Sequence, residues 1–210
     1  MFFCEISALS ICFPVILTFF YYKETNRTTR IFYFFLYISA CFDITSIIFS
    51  NLNINDLFLS HLDTLVQVLL LGMVYYCILK ISNFRKPVIF LTICLSLFVV
   101  INAIVIQGID HFNSYSRITG SAFLIILPLL YFYELFTRVT IISIEKDFMF
   151  WISIAIFVYF SGTLFLFILF QNNNFGLTKE INSQIWIVNS FLNILQNILF
   201  GIAILCRRKI

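Results

Sequence analysis

A chain of 210 residues that is 61% apolar, 19% aromatic and only 11% charged is not built like a water-soluble domain. Soluble domains carry roughly a quarter charged residues and turn a large share of their side chains to water. The net charge of +3 is small, and the basic residues are thinly spread along the chain, which argues against direct nucleic-acid binding.

A helix needs about 20 predominantly apolar residues to cross the hydrocarbon core of a bilayer. Seven stretches qualify in chain order: 2–22, 31–50, 57–79, 87–107, 118–138, 147–170 and 183–206. The first lacks a basic leader and a small-residue cleavage site, and Glu5 precedes its apolar core, so it reads as a retained membrane helix. Polar connections such as 51–56, 82–87 and 171–174 separate the stretches, with Pro87 expected in the first turn of the fourth helix. Cys4, Cys12, Cys41, Cys77, Cys94 and Cys206 mostly lie in apolar runs without a Cys-x-x-Cys pair, and read as small apolar fillers. The expected fold class is all-α: one polytopic transmembrane domain over 1–210, a bundle of seven transmembrane helices.

Basic residues set orientation, because Lys and Arg accumulate on the cytoplasmic side. With the N-terminus outside and the C-terminus inside, 11 of the 13 basic residues are cytoplasmic, and only Arg117 and Lys179 lie outside. The expected location is a membrane, with the C-terminus on its cytoplasmic side. Trp151 and Trp186, near helix ends, suit interfacial anchoring.

Two parts of the chain look alike. Gln67, Leu70, Gly72, Cys77 and Lys80 recur as Gln196, Leu199, Gly201, Cys206 and Lys209 at one offset of 129. Tyr37 and Ser39 are echoed by Tyr159 and Ser161, and Pro14 pairs loosely with Pro128. The matched units are 1–80 and 118–210, with the helix at 87–107 as linker. Three helices plus one linker leave both copies facing the same way, as in parallel-repeat transporters. This layout resembles the SWEET and PQ-loop superfamily, which implies a substrate site between the halves near mid-membrane. The family's Pro-Gln dipeptide is absent, and helices 2 and 6 contain no proline.

Ionisable and amide side chains within a span are costly and mark candidate sites. Asp43 lies about seven residues from the outer end of helix 2, roughly 10 Å deep at ~1.5 Å per residue, and shares a face with Ser39, Ser46 and Ser50. Asp63 and Gln67 stand one turn apart on helix 3 below His61. Helix 7 carries Asn189, Asn193, Gln196 and Asn197, and helix 4 adds Asn102. The expected substrate or ion pathway therefore comprises Asp43, Ser39, Asp63, Gln67, Asn102, Asn189, Asn193 and Gln196. The competing role for such a stripe is interhelical hydrogen-bonding glue, worth ~0.6 kcal/mol per contact.

No catalytic residue, cofactor or metal is expected. His61, Asp63, Asp110 and His111 would suffice in number for zinc, but the chain has only two histidines in all, too few for a seven-helix lipid hydrolase. Helix 7 has no lysine within its span to hold retinal. Glu134 and Arg138, one turn apart, are expected to pair. Residues 112–117, Phe-Asn-Ser-Tyr-Ser-Arg, read as a capped helix entry with Arg117 at the headgroup level.

That run looks like segments of small multi-pass membrane proteins of the Bacteroidota. In size, apolar composition and lack of a catalytic motif, the chain also resembles accessory membrane proteins encoded beside RNA-targeting type VI CRISPR effectors. Two non-enzymatic functions follow as expectations: a small-solute or proton-linked transporter or channel, or an accessory or pore-forming effector of a bacterial immune locus. The expected partners are the lipid bilayer and either further copies of this chain or a membrane or cytosolic protein.

Overall fold

The computed structural model describes residues 2–21, 26–137, 144–171 and 179–206. All regular structure among them is helical. The chain runs through α1 (Phe2–Ser10), α2 (Cys12–Phe20), α3 (Arg27–Asn51), α4 (Leu57–Ile78) and α5 (Ser82–Ile101). A π-helical turn at Asn102–Ile106 extends α5, and α6 (Ser114–Thr137), α7 (Phe148–Gln171) and α8 (Lys179–Cys206) follow. Seven helical stretches are long and apolar enough to cross a membrane, α1 and α2 together forming the first and α5 with its π turn the fourth.

Local chemistry sets the ends and breaks. The first span divides at Ile11, three residues before Pro14. Proline has no N–H and its ring crowds the carbonyl four residues back, here that of Ser10. Pro128 lies inside α6, which runs on without division. α3 ends in a Schellman motif. Asn53 adopts φ 54°, its N–H donates to the Ser50 carbonyl, and the Ile54 N–H donates to the Phe49 carbonyl at 2.9 Å. Asn tolerates this left-handed conformation better than most residues.

Four helices start earlier than the apolar runs predict. α3 begins at Arg27, α5 at Ser82, α6 at Ser114 and α8 at Lys179, and for α5 a cause is visible. Pro87 consequently sits at the sixth residue of α5, not in its first turn. The reason lies in another helix. The carboxylate of Glu134, 5% exposed on α6, accepts the backbone N–H groups of Lys80 (3.0 and 3.1 Å) and Ile81 (2.7 Å), just ahead of α5. An anion at a helix start satisfies orphan donors and complements the helix dipole. Glu134 is thus engaged with the entry to α5, while Arg138, its expected partner, lies outside the described residues, as do Lys23, Arg207, Arg208 and Lys209.

Six of the spans form a closed ring. α1 and α2 pack on α3, α3 on α4, α4 on α6, α6 on α7, α7 on α8, and α8 returns to α1 and α2. α5 stands outside it, against α4 and α6. Glycines mark close approaches, since small residues let helix backbones come together. A Cβ at Gly72 would fall 2.4 Å from Thr92 Oγ1 on α5, and one at Gly201 would fall 2.1 Å from the Phe13 ring on α2. These two glycines are aligned by the internal similarity, yet they face helices that the similarity does not match.

The half of the bundle away from the N-terminus is solidly packed. Leu36, Leu71, Val74, Leu127, Ile152, Ile156 and Ile204 are almost fully buried there. Tyr75 fits among them by donating to Ser153 Oγ at 2.9 Å. If Glu134 holds the start of α5, Glu134→Ala should lower stability by about 1–3 kcal/mol through loss of a charged acceptor. Glu134→Gln should cost visibly less, read as thermal unfolding midpoints in detergent.

Candidate functional site

Toward the N-terminal end the ring opens into a cavity of about 360 Å³ between α1, α3, α4, α7 and α8. That lies at the lower end of the ~300–1,000 Å³ typical of small-molecule sites. Its mouth is formed around the exposed residues Cys4 and Trp186. Its floor is aromatic. Phe35 and Phe200 line the bottom, and both stack edge-on with neighbours: Phe200 lies 5.1 Å from Phe32, and Phe32 lies 5.6 Å from Phe148, centroid to centroid. Phe32 and Phe200 are 0% and 2% exposed, so the floor is sealed.

The polar stripes converge here. From α3 come Ser39, Asp43 and Ser46, and from α4 come Asp63 and Gln67. Asn189, Asn193, Gln196 and Asn197 enter from α8. Helical spacing of three and four puts each set on one face, and ring closure turns the three faces toward each other. Asn102 does not join them. α5 lies outside the ring, and the π turn points Asn102 at α6, where it is fully buried and donates to Ser116 Oγ and Gln107 Oε1, both at 2.8 Å. Ser50 is exposed at the end of α3, outside the lining.

The two roles expected of the α8 stripe divide along it. Asn193 donates to Ser7 Oγ at 3.0 Å and Asn197 to Ser10 Oγ at 2.7 Å, tying α8 to α1. Ser7 in turn donates to the Ser190 carbonyl at 3.1 Å. These are structural contacts. Asn189 and Gln196 make no comparable bond: Asn189 Oδ1 is buried without a partner, and Gln196 is 7% exposed with no hydrogen bond among the described residues. On α3, Ser39 Oγ is likewise buried and unsatisfied.

Arg117, in the first turn of α6, was not among the expected pathway residues. It lines the cavity, its side chain 18% exposed, with Nη2 3.4 Å from Asp63 Oδ2. Asn113, itself fully buried, orients it: Asn113 Oδ1 accepts from Arg117 Nε at 3.1 Å, and Asn113 Nδ2 donates to the Ser60 carbonyl and to Thr64 Oγ1, both at 2.8 Å. The guanidinium also lies over Phe167, 5.2 Å from its centroid. Burying a charge is expensive unless it is paired and hydrogen-bonded, and Asp63, which also accepts from Gln67 Nε2 at 2.9 Å, meets that need. A signal existed in the sequence: an acidic residue inside a span can be neutralised by a cation from the same end, and Arg117 and Lys179 are the only two assigned there. His61 turns away from this group, with Nε2 3.0 Å from the His111 carbonyl.

Asp43 differs from Asp63. It lines the same cavity, yet makes no hydrogen bond or ion pair among the described residues. Asp56, at the mouth, accepts from Ser46 Oγ. The chamber thus combines one neutralised carboxylate, one uncompensated carboxylate and several free amide and hydroxyl groups above an apolar floor. It can bind a small polar solute.

The division of the α8 stripe is directly measurable. Asn197→Ala and Asn193→Ala should each lower the unfolding midpoint, by an amount corresponding to ~0.6 kcal/mol and at most about 1.7 kcal/mol. Asn189→Ala and Gln196→Ala should leave it unchanged or raised, since neither removes a bond. No family model matches the chain, and neither the curated proteins nor the solved structures contain a match to it.

Proposed function

We propose that this chain is a non-enzymatic multi-pass protein of a bacterial inner membrane, threaded with its N-terminal end outside, that binds and passes a small polar solute. One observation carries the reading: polar side chains from three spans meet in a chamber open at one end and sealed at the other by Phe35, Phe200 and Phe32. Polar groups within a bilayer must find partners in protein or in a water-filled cavity. Several of these find none among the described residues, so a hydrated chamber is the consistent alternative. A one-sided opening is the geometry of an outward-facing transporter or a closed channel.

The internal similarity supports the same reading. Exchanging spans 1, 2 and 3 with 5, 6 and 7 preserves the order of neighbours around the ring. The aligned pair Gln67 and Gln196 both line the chamber, where parallel-repeat transporters place their substrate. In a proton-linked form of this reading, Asp43 would exchange a proton for the solute.

A second reading, an accessory or pore-forming membrane effector of an immune locus such as type VI CRISPR, is favoured by α5. Standing outside the ring, it exposes Phe90, Ile93, Leu97, Ile104 and Val105, a face suited to another copy or a membrane partner as well as to lipid. A strictly single-copy particle in native lipid discs, with a metabolic gene neighbourhood, would end that reading.

Two measurements test the first. In a cysteine-free background, Ser46→Cys should react with a charged, membrane-impermeant thiol reagent applied outside cells, whereas Val74→Cys, beneath the floor, should not. Labelling of Ser46→Cys only from the cytoplasmic side would reverse the orientation. Removing the floor with Phe32→Ala and Phe200→Ala together should raise leakage of a small trapped sugar from proteoliposomes several-fold over the unmodified chain. Equal leakage would show that the plug seals nothing.

A further inference from the structure

The chamber's charge and its unsatisfied groups define what it can hold. Among the described residues, three carboxylates line it, Asp43, Asp56 and Asp63, against one cation, Arg117. Arg117 is already engaged by Asp63 and Asn113, and Asp56 by Ser46. With these groups ionised, the sum is three negative charges and one positive, and the charge left without a local partner belongs to Asp43. A neutral or anionic solute would leave that carboxylate uncompensated in a partly desolvated space, which is costly. A cation would not.

Acidic side chains alone would prove little, but two further observations point to a ligand. Ser39, one turn from Asp43 on the same face of α3, is 9% exposed, lines the chamber and has a hydroxyl with no partner. Across the chamber on α8, Gln196 is 7% exposed and Asn189 Oδ1 is buried and unsatisfied. Buried polar groups are nearly always paired, so such orphans call for a missing occupant. Size and wall chemistry narrow it. About 360 Å³ equals the liquid volume of roughly a dozen waters at ~30 Å³ each, far more than one bare metal ion needs. The lining also includes Phe42 and the floor residues Phe35 and Phe200, which suit methylene or methyl groups and a cation near aromatic rings.

We propose that the chamber binds a small organic cation, an amine or a hydroxyl-bearing quaternary ammonium, with Asp43 as its counter-charge and Ser39, Asn189 and Gln196 as hydrogen-bond partners of its N–H or O–H groups. This rests on the chamber being a solute site and names the class of solute.

The test uses the purified full chain in detergent and five additives at matched ionic strength: 5-amino-1-pentanol, choline chloride, 1,5-pentanediol, disodium glutarate and sodium chloride. A ligand that binds only the folded state raises the unfolding midpoint in a saturable way. The aminoalcohol and choline should each raise it by several degrees, while the diol, glutarate and sodium chloride should not. Asp43→Asn should abolish both shifts while its own midpoint stays at or above that of the unmodified chain, so that loss of binding is separable from misfolding. Ser39→Ala should weaken the aminoalcohol response several-fold without removing it.

Equal stabilisation by the diol and the aminoalcohol would overturn the cation assignment while leaving a solute chamber standing. Stabilisation by glutarate, a sodium chloride shift as large as that of choline, or an undiminished response in Asp43→Asn would also overturn it. So would no shift from any additive. Failure of the solute-site reading itself is seen separately, as absence of thiol labelling at Ser46→Cys.

Discussion

The architecture depends on one seam, where the last helix closes against the first. Ser7, Ser10, Ser190, Asn193 and Asn197 bond across residues more than 180 apart in sequence. Apolar packing alone would not choose this register, because lipid tails are as apolar as leucine and provide no net drive for helices to associate. Polar groups decide it. Each bond is worth little, but sliding α8 by one turn, about 5.4 Å, would break all of them at once among helices whose apolar side chains offer no substitute. If the seam did not close, α8 could not present Asn189 and Gln196 to α3, and the chamber would lose one wall.

A second constraint shapes the chamber's electrostatics. The connection between the fourth and fifth spans is stitched to α4 through Asn113, Ser60 and Thr64, and through His61 to the His111 carbonyl. That stitching carries Arg117 inward to Asp63. The two carboxylates, set on adjacent helices, therefore have different surroundings: Asp63 is held in a network of guanidinium and amide donors, while Asp43 faces open space. The first arrangement builds the wall; the second leaves a charge available to an incoming group. The aromatic floor completes the device by confining polarity to one half of the bundle.

The residue pattern made much of this legible. Apolar runs located all seven spans to within about a turn, because length and hydrophobicity are local properties. Periodicity placed Asp43 with Ser39, Asp63 with Gln67, and Asn189 with Asn193 and Gln196 on shared faces, and those faces meet. Asn102 was misplaced for a tertiary reason: nothing local says that α5 stands outside the ring, where a polar residue of that helix meets Ser116 and Gln107 instead of the chamber. Arg117 was read only as a basic residue at a helix entry, and the fold of the preceding loop is what brings it to Asp63. Helix starts slipped for a related reason, as Glu134 on a distant helix captures the N–H groups ahead of α5.

By itself, then, the sequence determined the helical spans, their apolar character and the polar faces, all of which follow from hydropathy and a 3.6-residue period. Tertiary structure alone decided which faces converge, which amides bind α1 and which stay free, and which carboxylate acquires a guanidinium. Those outcomes turn on contacts between residues tens to nearly two hundred positions apart, and no local pattern encodes a contact partner at that range.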